Sequence, residues 1–239
     1  MKFQELLVTD GSKVAGILGS IVKAIESDAL ELNVEEVSLC FNGVCRLDIE
    51  LLTGSEAIEV EVSGAPWLSE MELSLEDLMV EISLKPSSSP RRGVKLSAIY
   101  ESLPELILKL DSSMLRALSK RTTLDGVEYI ALYMDRGSVA VLEGDVHKVT
   151  IPSIEALGIV HTHPEGACGF SEVDVRSTAY ALSNLTLFEA VTTPSCAFYI
   201  ARIGFLDEKD FETLLNNTGG ITTPARLPSI KIERLTYST

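Results

Sequence analysis

The chain is poor in several residue types, and each scarcity excludes something. Bases are outnumbered: 20 Lys and Arg against 35 Asp and Glu leave a net charge of −15 over 239 residues. That balance speaks against nucleic-acid binding, which runs on Lys and Arg neutralising phosphates. No apolar run approaches the roughly 18 residues that a membrane-spanning helix requires. Residues 1–11, MKFQELLVTDG, lack the basic start and long apolar core of a secretory signal. The expected setting is cytoplasmic, with neither membrane nor nucleic acid as a partner. Four cysteines (Cys40, Cys45, Cys168, Cys196) are too few for a disulfide-stapled secreted scaffold. A single Gln and five Asn form a shortage found in thermostable proteins. Hydrophobic residues make up 46% of the chain, enough for a substantial core and too many for a disordered one.

Periodicity predicts two domains. Val14, Ile17, Leu18, Ile21, Val22 and Ile25 recur at the spacing of an amphipathic helix, entered near Asp10–Ser12. The period falls to two at Val37, Leu39 and Phe41. Asn42-Gly43 predicts a type I′ hairpin turn, with Val44, Arg46, Asp48 and Glu50 on the returning strand. In such a hairpin Cys40 and Cys45 face each other closely enough for a disulfide; a reduced pair and a metal-binding pair are the alternatives. Alternating runs at 57–62 and 79–84 follow, and residues 85–93, KPSSSPRRG, read as a linker or long loop. The expectation is a smaller N-terminal α+β domain with antiparallel strands over 1–95, and a second domain over 104–239. Acids exceed bases by 10 in residues 1–103 and by 5 in 104–239. The second domain reads as α/β. A strand at 106–110 leads to a helix capped near Asp111 or Ser112. Strands near 127–134, 138–143 and 157–162 precede a helix from Ser171. Strands near 187–193 and 196–203, a helix over 207–215 and an edge strand at 230–235 complete it.

The chemically informative stretch is Leu157–Ser177, LGIVHTHPEGACGFSEVDVRS. His161 and His163 end an apolar strand one residue apart, so period-two geometry sets both imidazoles on one face. Pro164 ends the strand, and Ser171 is placed to cap a helix with Asp174 in its first turn. That turn can aim a carboxylate back at the histidines. Two neutral imidazoles and one carboxylate make a three-ligand zinc site with one position open to water. Such a zinc acidifies bound water and polarises a carbonyl. His147 lies outside the pattern and reads as a solvated strand-end residue.

These residues resemble the JAMM (MPN+, JAB-domain) metalloprotease signature, H-x-H-P-x6-S-x2-D, at all five fixed positions. Chance gives such a match at one position on the order of 10⁻⁷ of the time. The resemblance covers about residues 104–215. It implies a three-layer α/β/α architecture like that of cytidine deaminases, one Zn2+ per chain, and hydrolysis after the C-terminus of a ubiquitin-like or sulfur-carrier modifier. It also implies a compact prokaryotic or archaeal type, since only 33 positions separate Glu128 from His161. The roles carried over are His161, His163 and Asp174 as zinc ligands, Glu128 as general base and Ser171 as oxyanion donor. Glu128 opens the apolar run Val127–Leu132; Glu143 and Glu155 compete for its role. Ala131 departs from the family, which often has Gly there. Cys168, inside the motif loop, reads as a small buried residue or a partner for Cys196, with zinc ligation the alternative. Two further functions stay open: trimming of a sulfur-carrier protein in cofactor biosynthesis, and a non-catalytic MPN scaffold. A modifier tail is expected to bind as an added strand beside the catalytic sheet. Residues 1–103 resemble no family and could orient substrate, cover the cleft or form a homodimer.

Overall fold

A computed structural model describes residues 2–29, 32–88, 93–144 and 156–237. Its elements in chain order begin with β1 (Lys2–Leu7), α1 (Asp10–Asp28), β2 (Ser38–Phe41), α2 (Ile49–Gly54), β3 (Ala57–Ser63), β4 (Met71–Leu75), β5 (Val80–Ser87) and β6 (Val94–Lys95). Two helices, α3 (Leu96–Leu110) and α4 (Ser112–Asp125), lead to β7 (Tyr129–Tyr133), β8 (Val139–Glu143) and β9 (Gly158–Thr162). The chain closes with α5 (Glu172–Ser183), β10 (Phe188–Thr192), β11 (Cys196–Arg202), α6 (Glu208–Leu215), β12 (Ala225–Arg226) and β13 (Ile230–Thr236). Mixed α/β structure is thus the fold class. None of the described helices is long and apolar enough to cross a membrane.

Two sheets result. The larger runs β1-β8-β7-β9-β10-β11-β13-β12 and the smaller β4-β5-β3-β2-β6. One face of the larger sheet packs Ala131, Tyr133, Val160, Phe188 and Tyr199 into a core shared with α1, α3 and the smaller sheet. On the other face, Val191, Phe198 and Ile200 pack with Val175 and Leu182 of α5 and Leu214 of α6. Helix α1 lies between the sheets and is buried on most of its surface. Gly16 explains how it fits there: a Cβ would come within 2.5 Å of Gly137 beside the larger sheet and 2.8 Å of Leu75 on the smaller. Thr9 starts the helix by a capping box with Ser12, each side chain accepting the other's backbone N–H at 2.9 Å.

Several expectations need correction. The smaller sheet ends with β6 at Lys95, at the end of the expected first domain, but β1 and α1 belong to the layers of the larger sheet. Pairing of β1 with β8, Leu6 against Ala140 and Leu7 against Val139, carries the N-terminus there. Residues 106–110 are helical. Ile99, Tyr100, Leu103, Ile107 and Leu108 repeat at helical spacing and are buried, and that burial outweighs the hydrogen bond forfeited at Pro104. The turn at Asn42 (φ +48°) and Gly43 (φ +76°) is left-handed at both residues, as type I′ requires. Its returning strand, however, is a single bridge between Phe41 and Val44. Asp48 then caps α2, accepting from Leu51 N at 3.2 Å, and draws the next residues into a helix. Cys40 and Cys45 are disulfide-bonded, with Cα atoms 4.1 Å apart. Strands of the smaller sheet are not all antiparallel: β3 and β5 run parallel. Residues 85–87 of the expected linker belong to β5, and residues 89–92 lie outside the described residues. The two-residue β12 lies outside β13 and takes the edge position from it.

Candidate metal centre

Strand β9 is central, paired in antiparallel fashion to β7 and in parallel to β10. His161 lies within it and His163 one residue past its end, where His163 N donates to Thr192 O at 2.8 Å. As period two requires, the imidazoles share a face, their centroids 4.9 Å apart. Ser171 caps α5 through a capping box: its Oγ accepts from Asp174 N at 3.3 Å and its N donates to Asp174 Oδ2 at 2.8 Å. The capping bonds turn the Asp174 carboxylate toward the strand. Oδ1 reaches 3.6 Å from His161 Nε2, and Oδ2 reaches 3.6 Å from His163 Nε2.

The donor set fits a divalent cation. One donor atom from each of His161, His163 and Asp174 lies within 4.8 Å of the others. Tetrahedral zinc with bonds of about 2.0–2.1 Å separates its ligands by roughly 3.3–3.4 Å, so these donors would draw together slightly to share one ion. His161 Nε2 is buried and, among the described residues, has no hydrogen-bond partner, an arrangement that is costly unless a cation accepts its lone pair. His163 presents the same nitrogen, because its Nδ1 donates to Ala167 O at 3.1 Å.

Electrostatics point the same way. Burial disfavours a charged His161, yet the Asp174 and Glu189 carboxylates outweigh it and raise its pKa to about 10. Burial and the neighbouring His161 charge push His163 down. Asp174 falls well below the usual carboxylate range despite burial, held there by His161 and the Ser171 cap. The Asp174 and Glu189 carboxylates thus favour a positive charge at His161.

Glu128 joins this group. It lies one residue before β7 rather than within it, and its Oε1 is 3.8 Å from His163 Nε2. Gly126 ends α4 in the left-handed region (φ +73°), donating to Thr122 O at 2.9 Å, and so turns the chain toward β7. Of the competing acids, Glu143 is engaged elsewhere, accepting from Gln4 Nε2 at 2.7 Å. Glu155 and His147 lie outside the described residues. Ser171 is exposed; its oxygen accepts from Asp174 N and its O–H remains available as a donor. Cys168 is disulfide-bonded to Cys196, Cα to Cα 6.4 Å, so it is a tether of the motif loop and not a metal ligand.

One residue at the site escaped the sequence reading. Glu189 of β10 is 1% exposed, with Oε1 3.4 Å from His161 Nδ1. A lone acid in the apolar run Leu187–Val191 was the available signal, the same one that marks Glu128. A cavity of about 800 Å³ lies elsewhere, lined by Ala24, Leu73, Leu182, Phe205 and Phe211, and includes none of these side chains. No protein-family model matches the chain, and no curated protein matches it.

Proposed function

We propose that this chain is a zinc-dependent peptidase of the JAMM/MPN+ type, acting after the C-terminus of a ubiquitin-like or sulfur-carrier modifier. The observation that carries the reading is the convergence of His161, His163 and Asp174 on one point, with Glu128 beside them and His161 Nε2 unpartnered. Helices on both faces of the larger sheet are consistent with the cytidine-deaminase-like architecture that the motif implies.

Bound zinc would supply a Lewis acid and acidify water. The protein's own groups perform the remaining tasks. Glu128, about one-third exposed at its side chain, can exchange protons with a water at the site. It takes a proton from the attacking water and delivers it to the leaving amine nitrogen as the C–N bond breaks. Ser171 donates its hydroxyl proton in a hydrogen bond to the substrate carbonyl oxygen as negative charge develops there. Its cap bond to Asp174 N holds that hydroxyl in place beforehand. The loop carrying Glu165 is anchored as well, its N donating to Thr123 Oγ1 at 3.1 Å and its Oε1 accepting from Ser195 Oγ at 2.6 Å.

The sheet order limits how a modifier tail would bind. Strands β7 and β10 occupy both sides of β9, so a modifier tail cannot add as a strand along β9 itself. Two exposed apolar side chains lie close in sequence to the site residues: Leu124 (87% exposed), four residues before Glu128, and Val173 (76%), next to Asp174. They are the kind of contacts a protein tail makes.

The test is metal content of the purified protein together with cleavage of a linear ubiquitin-like fusion, with and without chelator. About one zinc per chain and chelator-sensitive cleavage at the modifier C-terminus is the expected result. Cleavage confined to a free sulfur-carrier protein bearing a short extension would assign the trimming role. No metal after reconstitution would overturn the proposal and leave a scaffold.

A further inference from the structure

Four carboxylates among the described residues are almost wholly buried: Glu26, Asp111, Glu189 and Asp210. Three are saturated by structural partners. Glu26 takes two bonds from Arg202, at 3.0 and 3.2 Å, and one from Tyr100. Asp111 accepts from Thr9, Gly11 and Tyr133 at 2.7–3.1 Å. Asp210 accepts from both N and Oγ of Ser229 at 2.7 Å. Glu189 differs. Among the described residues its Oε2 has no hydrogen-bond partner, and its Oε1 faces His161 Nδ1 at 3.4 Å.

A buried carboxylate with one weak partner is costly, and an apolar side chain would pack in the same strand at less expense. Its position shows what it does there. Parallel pairing sets Val191 beside His161 and Glu189 beside Ile159. Period two then brings Glu189 to the same sheet face as His161, one step deeper into the protein. Asp174 meets His161 at Nε2, and Glu189 meets it at Nδ1, on the opposite side of the ring. His163 has only a neutral carbonyl, that of Ala167, in the corresponding place.

We infer that Glu189 is a positioning residue for the metal: it holds the proton on His161 Nδ1, aims Nε2 at the cation and strengthens it as a donor. Carboxylate–histidine pairs of this kind support metal ligands generally. The inference rests on the metal-binding part of the function proposed above and extends it to a residue outside the signature. It also accounts for the partnerless Oε2: with a cation bound, the carboxylate's full charge faces a compensating positive charge through the imidazole.

The test compares wild type, Glu189→Gln and Glu189→Leu for zinc affinity by chelator competition at one pH, for metal-free melting temperature, and for His161 ring ¹⁵N shifts in the zinc form. Glu189→Leu is expected to weaken zinc about 10–100-fold without lowering the metal-free melting temperature. Glu189→Gln, which still accepts from Nδ1–H, is expected to recover part of the affinity. The wild-type spectrum is expected to show His161 protonated at Nδ1 and ligated through Nε2. Unchanged affinity and shifts in both variants, with wild type binding zinc, would overturn the role of Glu189 alone. Reduced metal-free melting with unchanged affinity would do the same, making Glu189 a packing residue. Failure of wild type to bind zinc would overturn this inference along with the reading beneath it.

Discussion

Thr162 and Thr122 share a buried hydrogen bond of 2.6 Å that ties the histidine-bearing strand to the helix preceding Glu128. The bond belongs to a relay. Tyr129 N donates to Thr162 Oγ1 at 2.8 Å, and Thr122 Oγ1 donates onward to Leu118 O at 3.3 Å. Thr162 thus lies between the two histidines in sequence and fixes, through Tyr129, the residue next to Glu128. Thr162→Val keeps the shape but leaves Tyr129 N and Thr122 without that partner. The expected loss is about 1–3 kcal/mol of stability, with zinc affinity retained and hydrolysis reduced. Chemical denaturation and a cleavage assay check it; full activity in a destabilised variant would show that Glu128 does not depend on this relay.

Glu128→Gln should bind zinc as wild type does and lose hydrolysis by roughly 10²–10⁴-fold. Glutamine keeps the size of the side chain but cannot carry the proton. Metal analysis beside single-turnover cleavage separates the two effects, and retained activity would remove Glu128 from the proton-transfer role.

Removing the metal should lower thermal stability, because the ligands come from β9, the residue just past its end and α5, and the cation would join them. Free zinc at 100 times its Kd adds about 2.7 kcal/mol to the folded state. His161→Ala and Asp174→Ala should abolish both this zinc-dependent gain in melting temperature and the activity. Scanning calorimetry with and without chelator gives the comparison.

Asp111 sets a pH dependence unrelated to catalysis. Burial raises its pKa above 3.8, and the bonds from Thr9, Tyr133 and Gly11 only partly offset this. The folded protein therefore binds this proton more tightly than the unfolded chain does. The associated stabilisation is complete below 3.8 and is lost as pH rises through the folded value. Asp111→Asn does not titrate, so the stability of wild type relative to this variant should be greatest in acid and decline toward neutrality. Urea denaturation of both proteins across that range tests the sign.

Much of the candidate centre is legible in the sequence. His161 and His163 follow from period two, and the Ser171–Asp174 capping box follows from local helix chemistry, so their convergence needs only strand, turn and helix. The thiols divided differently. Cys40 and Cys45 are brought together by a two-residue turn that the sequence displays, although the strand expected after it was displaced by the Asp48 cap and α2. Cys168 and Cys196 stand 28 residues apart and meet only because the motif loop folds back on the start of β11.

What the sequence determined by itself was therefore short-range: periodicities, caps, the left-handed turn, and a ligand spacing that local geometry turns into a cluster. The tertiary structure decided the rest. It sent β1 across to β8, turned the stretch around Pro104 into a helix packed on α1, and set Glu189 behind His161. Each of these depends on burial against residues far away in the chain, whose free energy exceeds the local preferences a sequence displays. A lone acid in an apolar strand could be seen in the sequence; which imidazole nitrogen it faces could be settled only by the register of β9 against β10.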